Sequence, residues 1–261
     1  MRIATWNVNS IQARLPRLVE WLDLASPDVV CLQETKCAND TFPSDGIEER
    51  GYEIAAHGDG RWNGVAILSR VGLADVVRGL RGEPGYPDPG TLEARAIGAT
   101  CGGVRLWSVY VPNGREPGHA HYAFKLGWLA ALRGTVAGEL PSDSPYAVCG
   151  DFNVAPTDAD VWDPAVFVGS THVTPPERQA LADLRAAGLA DVIPRPLKYD
   201  RPYTYWDYRA GNFHKNLGMR IDLVYANPRF AEAVTDAYVD REARKGKGPS
   251  DHAPVVVDLD L

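Results

Sequence analysis

Residues 146–154 read YAVCGDFNV: four residues able to fill a buried strand, then Gly150, then Asp151 and Asn153 where the chain should turn. Asp and Asn commonly end a strand by bonding their own backbone, so by itself the stretch specifies only a strand and a turn. Its weight comes from its neighbours. Strand-like runs, mostly β-branched or aromatic, also lie at residues 2–8, 28–33, 52–56, 64–69, 93–100, 104–111, 220–226, 234–239 and 254–259. Between the first two, Leu15, Leu18, Val19 and Leu22 share one helical face, and Pro16 is expected in the first helical turn. Further helices are expected over residues 122–136, where Leu126, Leu129 and Ala130 share a face, and 176–187, where Gly188 is a natural stop. Apolar strands alternating with helices make an α/β layered protein in which helices cover sheets. The Gly/Pro-rich residues 79–90 resemble a surface loop rather than a linker, so residues 1–261 are read as a single domain.

The chain is 45% hydrophobic and 23% charged, a balance that excludes disorder and allows one large core. No apolar run approaches the roughly 20 residues needed to cross a bilayer, and the N-terminus opens directly into RIATW, so a cytoplasmic protein is expected. Cys31, Cys37, Cys101 and Cys149 show neither CxxC nor metal-ligand spacing with His, and read as buried thiols. A net charge of -7 argues against coating nucleic acid by bulk electrostatics, yet it leaves room for a local basic rim. Eight Lys and Arg gather between Arg209 and Lys247.

The ends of the strands carry a consistent set of polar residues. The first delivers Asn7 and Asn9, the second Glu34, the sixth Tyr110 and Asn113, and the YAVCG strand Asp151 and Asn153; Asp222 lies inside an apolar run, and Asp251 and His252 precede the last strand. Any one of these could be a turn residue, a cap or half of a structural ion pair. Together they mark a site, because ligands of open α/β sheets bind beyond strand ends. Carboxylates and amides without a Cys or His ligand set suit a hard cation, Mg2+ or Mn2+, rather than zinc. A His beside Asp residues supplies proton transfer or charge stabilisation, and with a metal and Asn and Tyr donors this is the equipment for hydrolysing a phosphate ester. The GxSxG, GxxxxGK[ST], HExxH and GxGxxG motifs of rival chemistries are absent.

The blocks WNVNS (6–10), LQETK (32–36), NGVAILSR (63–70), YVPNG (110–114), GDFNVAPTD (150–158), YTYWDYR (203–209), GMRIDLVYA (218–226) and PSDHAPV (249–255) resemble the exonuclease III branch of the endonuclease/exonuclease/phosphatase superfamily. The resemblance implies a DNase I-like, four-layer α/β sandwich: two mixed β-sheets packed face to face with helices outside and the active site at one edge. It implies a metal-dependent DNA repair nuclease acting on double-stranded DNA at abasic sites and 3′ ends, monomeric, with Mg2+ as cofactor and Mn2+ as a substitute. Carried over by position, Glu34 is the principal metal ligand, with Asn7 and Asp251 near the metal or its waters. Asp151 handles the proton of the attacking water or of the leaving oxygen, and Asn153 places that water and the phosphate. Tyr110 and Asn113 donate to phosphate oxygens, and His252, held by Asp222, bonds the scissile phosphate. Arg95 is a weaker phosphate contact, and Arg115 could reach the DNA strand.

The same resemblance places Tyr205, Met219 and Ile221 in the lining of an abasic-sugar pocket. His172 is bulky where an open pocket would favour a small residue, so it is expected to narrow access and favour 3′-end processing; the alternative is a solvated loop histidine. Arg209 and the segment Arg241–Lys247 are expected to contact phosphates without reading sequence. Two other functions fit less of the sequence: a phosphoesterase of the same fold acting on a small or lipid substrate, and a non-catalytic DNA-binding scaffold.

Overall fold

The computed structural model describes residues 1–140 and 143–261. In chain order the strands are β1 (Arg2–Asn7), β2 (Val29–Gln33), β3 (Glu53–His57), β4 (Val65–Ser69), β5 (Ala74–Arg78), β6 (Ala96–Cys101), β7 (Val104–Tyr110), β8 (Tyr146–Asp151), β9 (Ala190–Asp191), β10 (Asp222–Ala226), β11 (Val234–Val239) and β12 (Val255–Leu259). The helices are α1 (Ile11–Ala25), α2 (Asp45–Glu48), α3 (Ala120–Glu139), α4 (Pro175–Ala186), α5 (Asn212–Lys215) and α6 (Pro228–Ala233). The strands form two six-stranded mixed sheets, ordered β11-β12-β1-β2-β4-β3 and β5-β6-β7-β8-β10-β9. β1 runs parallel to β2 and β7 parallel to β8, the other pairings being antiparallel.

Alternate residues of each central strand face opposite ways, which divides the apolar side chains into layers. Ile3, Val29, Cys31, Leu106, Cys149, Val224 and Val257 pack between the sheets. Their neighbours Ala4, Val30, Leu32 and Val256 face outward to Leu18, Trp21 and Leu22 of α1. Trp107, Val109, Val148 and Tyr225 of the second sheet face Phe124, Trp128 and Leu132 of α3 and Leu181 and Leu184 of α4. The result is helix, sheet, sheet, helix. Strands covered on both faces must be apolar at nearly every position, and this is why they read as continuous hydrophobic runs. The four cysteines are buried and free.

Three local expectations need correction. β5 and β9 were not expected: β5 is an edge strand of largely exposed residues and β9 is two residues long, so neither leaves an apolar run. Pro16 lies inside α1 rather than in its first turn, because the helix starts at Ile11. Backbone bonds from Ser10 N to Glu34 O (2.7 Å) and from Ile11 N to Thr35 O (3.0 Å) dock that start against the end of β2, and Ser10 caps it. β6 and β10 each begin later than expected, at Ala96 and Asp222. Arg95 and Arg220, which precede them, carry side-chain ion pairs instead.

Candidate active site

The register of the second sheet sets three polar residues in a row. Tyr110 at the end of β7 pairs with Asp151 at the end of β8, and Asp151 pairs across its other edge with Asp222 at the start of β10. Gly150 makes the row possible. Its φ is +153°, and a Cβ there would stand 2.0 Å from the Val109 carbonyl oxygen, so no side chain fits between the strands. From the first sheet, β1 brings Asn7 to the same edge, and Asn7 Nδ2 donates to Glu34 Oε1 (2.9 Å) and Asp151 Oδ2 (3.0 Å). One side chain thus joins the two sheets at the site.

Asp151 is 1% exposed and held on both oxygens: Asn153 N donates to Oδ1 (2.9 Å) and Asn153 Nδ2 to Oδ2 (3.3 Å). Burial pushes its carboxyl up to about 7; the charges of Asp222 and Glu34 add to this, against the pull of His252 and the Asn153 N–H. His252 Nε2 lies 3.9 Å from Asp151 Oδ2, and its Nδ1 donates to Asp222 Oδ2 at 2.8 Å. Burial opposes the imidazolium, but Asp222, Asp151 and Asp251 outweigh it and lift the His252 pKa to about 10. His252 is therefore a cation at neutral pH, with Nε2–H turned toward Asp151. The Tyr205 ring covers it, centroids 4.9 Å apart.

Glu34 stands beside this pair. Burial would raise its carboxyl, yet Lys36 and Asn7 hold it below the ordinary range. Lys36 Nζ lies 2.7 Å from Glu34 Oε2 and 2.5 Å from Asn9 Oδ1, while Asn9 Nδ2 donates to Asp251 Oδ1 at 3.0 Å. Asn9 was expected at the end of the first strand without an assigned role, whereas Lys36 was not among the expected site residues, although it stands in the quoted LQETK block. Asn113 Nδ2 reaches Asn153 Oδ1 at 3.3 Å, and burial, with Glu34 second, raises the Tyr110 phenol far above its ordinary value.

The carboxylate oxygen of Glu34, one oxygen of Asp151 and a ring nitrogen of His252 lie within 4.8 Å of one another. A protonated His252 cannot serve as a ligand, so the donors that remain are hard oxygens, which fits Mg2+ or Mn2+. The other two expected ligands differ from expectation in placement. Asn7 turns its nitrogen, not its oxygen, to the carboxylates, and its Oδ1 accepts from Asn9 N (3.0 Å). Asp251 stands outside the three-residue group.

The expected substrate contacts divide. Tyr205, Met219 and His172 line a cavity of about 370 Å3 together with Trp162, Phe167 and Asp207. Ile221, 2% exposed, packs behind Met219 and does not reach that cavity, which corrects its expected place in the lining. His172 is not a solvated loop residue: its Nδ1 meets Asn153 O at 2.5 Å, and burial, with Lys125 second, lowers its pKa to about 4. Arg115 is exposed and lines a second cavity of about 760 Å3 with Arg61 and Trp62. Arg95 is 4% exposed, pairs with Glu93 (2.5 Å), and lies over the Tyr110 ring, so it buttresses Tyr110. Arg209 is exposed but paired with Asp207 at 2.6 Å. Within Arg241–Lys247, Arg241 packs on Phe213 and bonds its carbonyl (2.6 Å), and Arg244 is buried and bonds Trp206 O (3.2 Å). Those two guanidiniums hold the chain together rather than face a substrate.

Comparison with known proteins identifies the family. The Endonuclease/Exonuclease/phosphatase family matches residues 4–252. Exodeoxyribonuclease III of Haemophilus influenzae is 30% identical over 272 residues, covering 98% of each chain. Among solved structures, the 3′ phosphatase NExo from Neisseria bound to a product DNA hairpin is 38% identical with a TM-score of 0.93, and an AP endonuclease from Archaeoglobus fulgidus is 35% identical with a TM-score of 0.92; both matches cover all of both chains. Matched over nearly its whole length and carrying the motif blocks from first strand to last, the chain belongs to the Endonuclease/Exonuclease/phosphatase family, in its exonuclease III group.

Proposed function

We propose that this protein is a metal-dependent DNA repair nuclease of the exonuclease III type, hydrolysing phosphodiesters at abasic sites and 3′ ends of duplex DNA. The observation that carries the reading is the buried Asp151 carboxyl, near neutral in pKa, 3.9 Å from a His252 cation that Asp222 holds from behind. A carboxyl poised near pH 7 can take a proton from an attacking water or return one to a leaving oxygen. Asn153 holds it in place through both oxygens. His252 offers Nε2–H to a phosphate oxygen as negative charge gathers there, and Asn113 and Tyr110 would supply further donors. Glu34, kept ionised, would hold a divalent cation, with Asp251 and Asn7 close to it. Mg2+, or Mn2+ in its place, would supply Lewis-acid polarisation of the phosphate when bound.

The cavity beside Tyr205 and Met219 is read as the place for an abasic sugar, and exposed Arg115 as a strand contact. The chain is read as one domain over residues 1–261, acting as a monomer in the cytoplasm; among the described residues no helix is long and apolar enough to cross a membrane. A labelled duplex with an abasic analogue and a 3′ terminus, assayed with Mg2+ and with chelator, tests the proposal. Metal-dependent cleavage is expected. Binding without cleavage would select a scaffold, and no interaction would select a small-substrate phosphoesterase.

A further inference from the structure

Behind the candidate site lies an ion pair with no solvent exposure: the side chains of Lys125 on α3 and Glu177 on α4 are each 0% exposed. An ammonium has three N–H donors. Lys125 Nζ meets the Asn153 carbonyl at 2.7 Å, the Asn113 carbonyl at 3.1 Å and Glu177 Oε1, with Thr171 Oγ1 3.4 Å away. Glu177 Oε1 also accepts from Thr171 Oγ1 (2.7 Å) and His172 N (3.0 Å), while its Oε2 accepts from Thr174 N (3.0 Å) and Thr174 Oγ1 (2.6 Å). Three segments converge on this pair: the loop after β7 and the two ends of the long connection from β8 to α4. Two of them carry Asn113 and Asn153, and the third carries His172 of the cavity wall.

Stability alone is a poor reason for such a pair. Removing two charges from water costs about as much as their attraction returns, and well-packed apolar residues often replace buried ion pairs without loss. An apolar pair, however, could not bind two carbonyl oxygens at once. We propose that Lys125, locked by Glu177, is a positioning residue that sets the Asn113 and Asn153 loops against each other and against the cavity wall, and so aligns Asp151 and the phosphate donors. The inference rests on the proposed nuclease reading for its kinetic consequence, and on the geometry alone for its structural one. Asn153 is the link: its carbonyl is held by Lys125, and its N–H and Nδ2 hold Asp151.

The test is the double variant Lys125→Met/Glu177→Gln, which removes both charges together and leaves neither buried alone. Folding is checked by a single cooperative thermal transition; the single variant Lys125→Met, with Glu177 stranded, serves as the destabilised comparison. Two measurements are made: steady-state cleavage of a 3′-end duplex with Mg2+, and hydrogen exchange of the amides of residues 113–115 and 153–155. The expected result is a folded protein whose kcat falls tenfold or more while KM changes less than threefold, with faster exchange in those two segments. A folded double variant with kcat within twofold of wild type, or with unchanged exchange there, overturns the proposal. If the wild-type protein cleaves no DNA, the nuclease reading fails, and the exchange measurement still decides for or against the positioning role.

Discussion

At the scale of single residues, Asp151 shows how environment lifts the pKa of an ordinary carboxyl to about 7, the range the proposed proton transfer needs. Its burial and the neighbouring Asp222 and Glu34 charges resist ionisation, and His252 and the Asn153 N–H oppose them only in part. Asp151→Asn keeps the shape and most hydrogen bonds but carries no titrating proton. It is expected to fold and to bind duplex DNA as wild type does, while cleavage falls by about 100-fold or more, the scale of losing one transition-state contact. Near-full cleavage by that variant would remove Asp151 from the chemistry. His172 offers a second residue-scale test. It adopts φ +80°, unusual for a side chain with a Cβ, and forms part of the cavity wall. His172→Gly should relieve the backbone and widen the cavity, raising the rate on an abasic duplex relative to a 3′-phosphate duplex. An unchanged ratio of the two rates would show that the ring does not control access.

At the scale of elements, the site depends on strand register more than on any loop. Tyr110, Asp151 and Asp222 are side by side because β7, β8 and β10 pair at those positions, and a slip of one residue in β8 would turn Asp151 to the opposite face of the sheet. Gly150 is the position where that register is most vulnerable, since the Val109 carbonyl occupies the space of its missing Cβ. Gly150→Ala must push β7 and β8 apart. A loss of about 1–3 kcal/mol is expected for such overpacking, with a fall in Tm of roughly 2–12 °C for a chain of this size. The same variant should lose cleavage out of proportion to its stability, because the displaced strand carries Asp151. Calorimetry and a cleavage assay on one preparation check both, and a variant with wild-type Tm would show that the strands yield freely.

At the scale of the whole molecule, stability is coupled to pH through a histidine outside the proposed chemistry. His121 is 7% exposed, and its Nδ1 accepts from Gly114 N at 3.1 Å, so the fold needs it neutral. Burial, assisted by Arg95, lowers its pKa to about 4 from an ordinary 6.5. Between those values the unfolded chain binds a proton that the folded chain refuses, and the stability contributed by neutral His121 is lost as pH falls from about 6.5 to about 4. His121→Asn keeps an acceptor near the same place and does not titrate. Urea midpoints should therefore move in favour of the variant, relative to wild type, as pH drops through that window, and stay parallel above pH 7. Parallel curves across the whole range would refute the assignment to His121.

Much of this molecule was legible in its sequence. Among the described residues ten of the twelve strands left recognisable runs, most plainly the inner ones, whose central residues are covered on both faces, and the polar residues at strand ends could be named before their geometry was known. β5 and β9 were not legible, since an exposed edge and a two-residue bridge leave no hydrophobic pattern. Residue types and order along the chain determine which strands form and which groups stand at their tips, because both follow from local pattern. Only the tertiary structure decided what those groups meet. It brings Asn7 to Asp151, 144 residues away, and gives Lys36 to Glu34. It also sets Lys125 beneath the Asn113 and Asn153 carbonyls and takes Arg241 and Arg244 into packing. The physical reason is that burial, charge and hydrogen-bond partners belong to positions in space, and a sequence states them only once two sheets have closed on each other.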